Sequence, residues 1–361
     1  MDIDIILDPE YTPQQIVEIS VKAEKLGIRA VWSSNYHQHW DSFVALVPAA
    51  LATSKIVIGP LAVSPWEMHP LKIANALLSL NELSNGRALI AVSGGGGILS
   101  AIGWKASADT PAWPGRHPVK GTRYPDRRVR AVRECIEILN LARSGKTTMG
   151  YKGEVFEITR PFQMKWAKAD GPLVYGCCCG PQMLRMGARV ASGIQLSDFT
   201  VDMLPTAMNR IRAGLAERKQ PIDNFRIGNF WAWHLKKDRR ASMYEARREL
   251  IWRGAVIGKD EPELLRFCTG SDELKIIMDN WENFRKAYWT RSGKIEGVPE
   301  DLVNRLITGM SSAGDLNDLE RELERFRQFK AAGLTELCLR LHDNPMEDLD
   351  IIGAHVLPAV Q

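Results

Sequence analysis

"RALIAVSGGGG" (residues 87–97) joins a short β-branched and apolar run to four consecutive glycines, Gly94, Gly95, Gly96 and Gly97. A glycine inside a strand or helix costs about 0.5–1 kcal/mol relative to alanine. Two readings account for four in a row: a flexible tight turn, or a place where backbone comes very close to a ligand. The apolar run itself reads as a strand, and what lies on either side of it decides which fold it belongs to.

Upstream, "PLKIANALLSLNELSNG" has a helical pattern and "KIVIGPLAV" (55–63) is another strand candidate. Further back come "RAVWSS" (29–34), the apolar helix pattern "FVALVPAALAT", and "DIDIIL" (2–7). The helix after the first strand opens with Thr12 as N-cap and Pro13 at its first position, and Gly27 stops it. Downstream, "RRVRAVRECIEILNLARSG" (127–145) places Val129, Val132, Ile136 and Leu139 on one stripe at the 3.6-residue period. Four more strand candidates follow: "PLVYGCCC" (172–179), "GIQLSDF" (193–199), "FRIGNFWAWHL" (225–235) and "LTELCLRL" (334–341).

Eight strands alternating with helices predict an α/β fold of right-handed parallel units, a (β/α)8 TIM barrel formed by residues 1–361 as one domain. Two stretches exceed a minimal barrel and read as packed insertions: approximately 98–126 after strand four, and 253–315 between strands seven and eight. Both carry tryptophans.

Barrels of this kind do their chemistry at the carboxyl ends of the strands. Strand one ends near Asp8. Strand two runs into Asn35, Tyr36, His37 and His39, and strand three into Glu67 and His69. Strand four ends in the glycines and strand five in Cys177, Cys178, Cys179, Gly180, Pro181 and Gln182. Strand six ends near Ser197 and Asp198, strand seven near His234, and strand eight near His342 and Asp343. Gly180 and Pro181 open a helix, and its unpaired N–H groups suit an anion such as phosphate. His37 and His39 lack further ligands at metal spacing, so no metal site is expected. There is no G-x-S-x-G elbow and no Walker loop.

Apolar residues make up 45% of the 361 and charged residues 25%, an ordinary globular balance, and the net charge is +4. That is too mild for a nucleic-acid binder; the basic cluster at 123–134 reads as a solvated helix face. Six cysteines without a C-x-x-C pair argue for a reduced protein. The acidic start "MDIDIILDPE" lacks the basic region of a signal peptide, and no apolar run spans a membrane, so a cytoplasmic location is expected.

"HPLKIANALLSLNELSNGRALIAVSGGGGILSAIG" (69–103) resembles the luciferase-like flavin and deazaflavin oxidoreductases, which carry a similar helix, then S-x-G-R, then a strand ending in G-x-G. "PLVYGCCCGPQMLRMGARVASGIQL" is similar to their strand-five phosphate segment, and "ELCLRLHDNPMEDLDIIGAHVLP" to their C-terminal end. The look is nearest to the methylenetetrahydromethanopterin reductase type, on "AVSPWEMHP" and "SGGGGILSAIG". The usual Asp-His after strand two reads Asn35-Tyr36 here, with His37 one step later, and Met68 replaces a basic residue.

The resemblance implies a hydride transfer between coenzyme F420 and a small organic substrate such as a pterin-type C1 carrier. The alternative is an FMN-dependent monooxygenase served by a separate flavin reductase, and outside the class stands a non-redox barrel hydrolase or a non-catalytic subunit. It favours the ligand reading of the glycines. It assigns the cofactor to Asn35, Leu61, Ala62, Ser93, Gly94, Gly95, Gly96 and residues 177–182, with a non-proline cis peptide at Leu61–Ala62 and the phosphate against Cys177 to Gln182. His37 is the polar residue expected nearest the reactive ring, with Tyr36 as substitute and Asp8 and Glu67 as candidate acids. The 98–126 segment and part of 253–315 would act as lids. The apolar helices within 41–86 predict a homodimer.

Overall fold

The structure, a computed structural model, describes residues 1–102, 125–257 and 265–360. Eight parallel strands close into a ring. They are β1 (Asp2–Leu7), β2 (Ala30–Ser34), β3 (Val57–Val63), β4 (Leu89–Val92), β7 (Leu173–Cys177), β8 (Gly193–Ser197), β9 (Arg226–Ala232) and β10 (Glu336–Leu341), in the order β1-β10-β9-β8-β7-β4-β3-β2. All eight strand candidates are present. The short antiparallel ribbon of β5 (Tyr151–Lys152) and β6 (Glu157–Ile158) is an addition that two-residue strands do not announce. Buried Glu134 holds its turn by accepting the N–H groups of Glu154, Val155 and Phe156 at 2.7–3.0 Å.

Local signals act as read. Thr12 and Gln15 form a capping box at the start of Pro13–Leu26, and Gly27 ends that helix at φ 87°. Left-handed backbone there is what glycine supplies without steric cost. Val132, Ile136 and Leu139 of the helix Arg128–Arg143 are buried against the barrel, with Val129 half-buried beside them. β3 and β4 pack backbone to backbone: a Cβ on Gly59 would lie 1.8 Å from the Leu89 carbonyl oxygen.

The amino-terminal end of the barrel is plugged by charges. Arg29 donates to Asp4 at 2.9 Å, Arg226 to Glu336 at 3.0 Å, Trp32 Nε1 to Asp4 at 2.9 Å and the Tyr175 hydroxyl to Glu336 at 2.8 Å. Asp4 and Glu336 are fully buried. Buried charges persist only when paired and hydrogen-bonded. This end is filled, so the opposite end is the one open to a ligand.

Between β9 and β10, the helices Arg239–Ile257, Ser271–Asp279, Trp281–Trp289 and Glu300–Met310 share an apolar cluster of their own, centred on Leu250, Trp281, Phe284 and Leu306. The helix Leu319–Ala331 then covers the barrel, with Phe329 edge to face on Trp231. The six cysteines are free.

Candidate active site

β3, β4 and β7 are neighbours in the ring, so the segments leaving their carboxyl ends lie side by side. The Leu61–Ala62 peptide is cis, and the β3–β4 register shifts between Leu61 and Val63. Asn35, just past β2, wraps this bulge. Its N–H donates to the Leu61 carbonyl at 3.1 Å, and its Nδ2 donates to the Ala62 carbonyl at 3.3 Å and to Glu67 Oε1 at 2.9 Å. Its Oδ1 accepts from the Ser42 hydroxyl. Glu67 Oε1 also accepts the Ser64 N–H at 2.6 Å. Burial outweighs these two donors and pushes Glu67 up to about 7.

The turn after β4 is anchored to β3 by the Ser93 N–H, which donates to the Val63 carbonyl at 3.0 Å. Gly95 has φ 104°, and a Cβ there would meet the Leu99 side chain at 2.4 Å. The helix Gly96–Ala101 begins within the glycine run, so two of the four glycines are helical. Most of the expected 98–126 lid lies outside the described residues.

Past β7, Cys178 is buried against the following helix, while Cys177 and Cys179 are half-buried. Burial, then Cys179 and Asp198, push the Cys177 thiol up. Gly180 is the N-cap of Pro181–Val190, and no side chain caps the freed N–H groups. Beyond its two chain neighbours, no atom lies within 4 Å of where a Gly180 Cβ would be. An open, uncapped helix start at the end of a barrel strand fits a phosphate.

On the other side of the mouth, β1 and β10 set a charged cluster. Asp8 Oδ1 accepts from Arg340 Nε at 2.7 Å and Asp8 Oδ2 lies 2.9 Å from His342 Nδ1. Against burial, which works the other way, Arg340 and then His342 hold the Asp8 carboxyl well below the usual carboxylate range. Likewise against burial, Asp8 raises His342. His234, past β9, stacks on His342 with ring centroids 4.7 Å apart and holds Glu245 at 2.7 Å. Burial brings His234 down to about 4. Tyr11 donates its hydroxyl to the His342 carbonyl.

Asp8, Tyr36, His37, His39 and Arg340 open on a cavity of about 340 Å³, whose far wall is Glu249, Trp252, Tyr288, Trp289 and Arg291. The strand-end residues Asp8, Tyr36 and His37 therefore share one cavity. Glu67 is not among its lining residues and sits with Asn35 at the bulge. The far wall comes from helices between β9 and β10, which no strand-end search reaches. Arg340 carries a strand signal, since it is the one charged residue in "LCLRL". Among the described residues, no group of three or more His, Cys, Asp or Glu is placed to hold a metal. No helix among them is long and apolar enough to cross a membrane.

A closed parallel barrel with its polar side chains gathered at the carboxyl mouth has the architecture of a barrel enzyme. The luciferase-like monooxygenase family model matches residues 4–336, and the chain belongs to that family. It is 24% identical to the 5,10-methylenetetrahydromethanopterin reductase of Archaeoglobus fulgidus, across 99% of both chains. The coenzyme F420-dependent tetrahydromethanopterin reductase structure from Methanopyrus kandleri superposes with a TM-score of 0.76, at 20% identity over 100% of this chain and 99% of that one. The FMN complex of the oxygenating constituent of 3,6-diketocamphane monooxygenase from Pseudomonas putida has a TM-score of 0.63, at 15% identity over 100% and 99%.

Proposed function

We propose that the chain is an F420-dependent oxidoreductase that moves a hydride between the deazaflavin and a small organic substrate such as a pterin-type C1 carrier. The observation that carries this reading is the adjacency of three features at one mouth: the Asn35-wrapped bulge in the last residues of β3, the Ser93–Gly96 turn after β4 and the uncapped Gly180 helix start after β7. Their neighbouring strands suit one extended cofactor with a flat ring at one end and a phosphate at the other. The full-length likeness to a methylenetetrahydromethanopterin reductase supports the choice of F420.

F420, when bound, supplies or accepts the hydride; the protein binds it, orients it and keeps water out. Leu61 and Ala62 back the ring, Ser93 to Gly96 admit its chain, and residues 177–182 hold its phosphate. Asp8, clamped by Arg340 and His342, stays an anion and fixes the mouth's charge. Glu67 is the carboxyl able to give or take a proton near neutrality. His37 and Tyr36 face the reacting side from β2. The reading also includes a cytoplasmic homodimer joined through the apolar helices of 41–86.

Fluorescence titration with F420 and with FMN tests it. Tight F420 binding is expected; FMN binding alone would turn the reading to a monooxygenase that needs a separate flavin reductase, and binding of neither would end it. Turnover of His37→Ala against Tyr36→Phe then decides between those two. Full activity of His37→Ala from pH 5 to 9 would move the role to Tyr36.

A further inference from the structure

The far wall of the cavity carries three aromatic side chains in contact. Trp252 and Tyr288 meet edge to face, with centroids 5.2 Å apart at 86°, and Tyr288 and Trp289 follow at 5.1 Å and 71°. All three line the cavity, and Trp289 is 59% exposed. Rings held edge to face offer faces and edges on which a further flat ring packs favourably.

Arg291 stands two residues beyond Trp289, and its backbone is unusual. It has φ 53°, the left-handed region, in a turn that elsewhere uses Gly293 at φ 61°. It is the left-handed residue that ends the helix Trp281–Trp289, where the Ser292 N–H donates to the Ala287 carbonyl at 3.2 Å. The turn is pinned on both sides: the Arg291 N–H donates to the Tyr288 carbonyl at 3.1 Å, and its own carbonyl accepts from the Tyr244 hydroxyl at 2.5 Å.

The two carboxylates beside this guanidinium are held mainly by Arg248. Arg248 already donates to Glu249 at 3.0 Å and to both oxygens of Asp343 at 2.8 and 2.9 Å. Arg291 reaches the same two carboxylates only at 3.3 and 3.7 Å. That leaves most of its five donors without a hydrogen bond among the described residues.

We infer that this wall recognises the substrate, and that the substrate is a flat aromatic ring carrying an anionic oxygen group: the ring packs within Trp252, Tyr288 and Trp289, and the anion pairs with Arg291. The inference rests on the reading of the barrel mouth as a cofactor site, which leaves this half of the cavity to the molecule that is oxidised or reduced. A guanidinium's planar fork matches a carboxylate or phosphate in two parallel hydrogen bonds.

The test uses the full chain and ligand-observed fluorine NMR with three probes. They are 4-fluorobenzoate, 4-fluorobenzyl alcohol, which has the ring without the charge, and 4-fluorocyclohexanecarboxylate, which has the charge without the aromatic ring. The benzoate is expected to bind at least ten-fold more tightly than either of the others. Arg291→Gly suits the left-handed backbone, so it is expected to melt no lower than the parent and to bind 4-fluorobenzoate at least ten-fold more weakly. Trp289→Ser, at an exposed position, is expected to weaken both aromatic probes. Equal affinity for the three probes, or unchanged 4-fluorobenzoate binding in Arg291→Gly, overturns the inference. So does a parallel loss of F420 affinity in Arg291→Gly, which would give the wall to the cofactor. If the parent binds neither F420 nor FMN while the benzoate preference holds, the redox reading falls and the ligand class stands.

Discussion

Asn35 Nδ2 lies 2.9 Å from Glu67 Oε1, so one amide ties the carboxyl that follows β3 to the end of β2. The bond fixes the orientation of Glu67 without ionising it. Burial, the larger effect, lifts Glu67 from 4.5 to about 7.

Glu67 therefore titrates at a pH where activity is measured. Between pH 4.5 and 7 the folded protein keeps a proton that the unfolded chain has lost. Stability falls as pH rises through that window, by on the order of 3 kcal/mol in all. Glu67→Gln has no such penalty. Its melting temperature relative to the parent is expected to rise from pH 5 to pH 8, and the limb of kcat near pH 7 is expected to vanish. Parallel melting curves at both pH values would show that Glu67 does not titrate there.

Of the two stacked imidazoles, His234 works in the opposite direction. Burial keeps His234 neutral down to about pH 4, whereas a histidine in the unfolded chain takes its proton near 6.5. Stability should thus fall as pH drops from 6.5 to 4, again by on the order of 3 kcal/mol. In His234→Gln that slope is expected to flatten in thermal melts taken between pH 7 and 4.5. An unchanged slope would mean that another group dominates the acid limb.

Gly180 separates cofactor binding from folding. A Cβ there would have no atom within 4 Å beyond its two chain neighbours. Gly180→Leu is expected to leave the melting temperature nearly unchanged and to weaken F420 binding ten-fold or more in a fluorescence titration. Undiminished affinity would put the phosphate elsewhere.

The helix Ser42–Ala52 turns Val44 and Leu51 outward, each 66% exposed. Two such side chains on one face suit a partner copy. Light scattering at micromolar concentration is expected to give twice the mass of one chain, and the double variant Val44→Glu, Leu51→Glu the mass of one. A single-chain mass for the parent would refute the dimer.

The barrel was legible because its signals are local. Each strand is a short apolar run, and caps such as Thr12–Gln15 and Gly27 announce the helices between them. The near half of the mouth was legible for the same reason, since a barrel obliges residues such as Asp8, Tyr36 and Glu67 to stand at strand ends. The far wall was not. Trp252 and Tyr288 sit in helices and Arg291 in the turn after one of them, and none of these places is fixed by a strand end. The partner of Asp8 is hidden too: Arg340 and Asp8 meet because β10 pairs with β1, a contact that local patterning does not encode.

That pairing also has a meaning during synthesis. The ring closes where Cys338 comes opposite Asp4, residues 334 positions apart. A ribosome adding about 5–20 residues each second takes roughly 17–67 s to cover that distance. Throughout it the free edge of β1 has no partner strand, and an unpaired edge is a template for other chains. The nascent protein thus emerges with its first strand waiting for its last, and chaperones that shield open sheet edges have most to do for it in that interval.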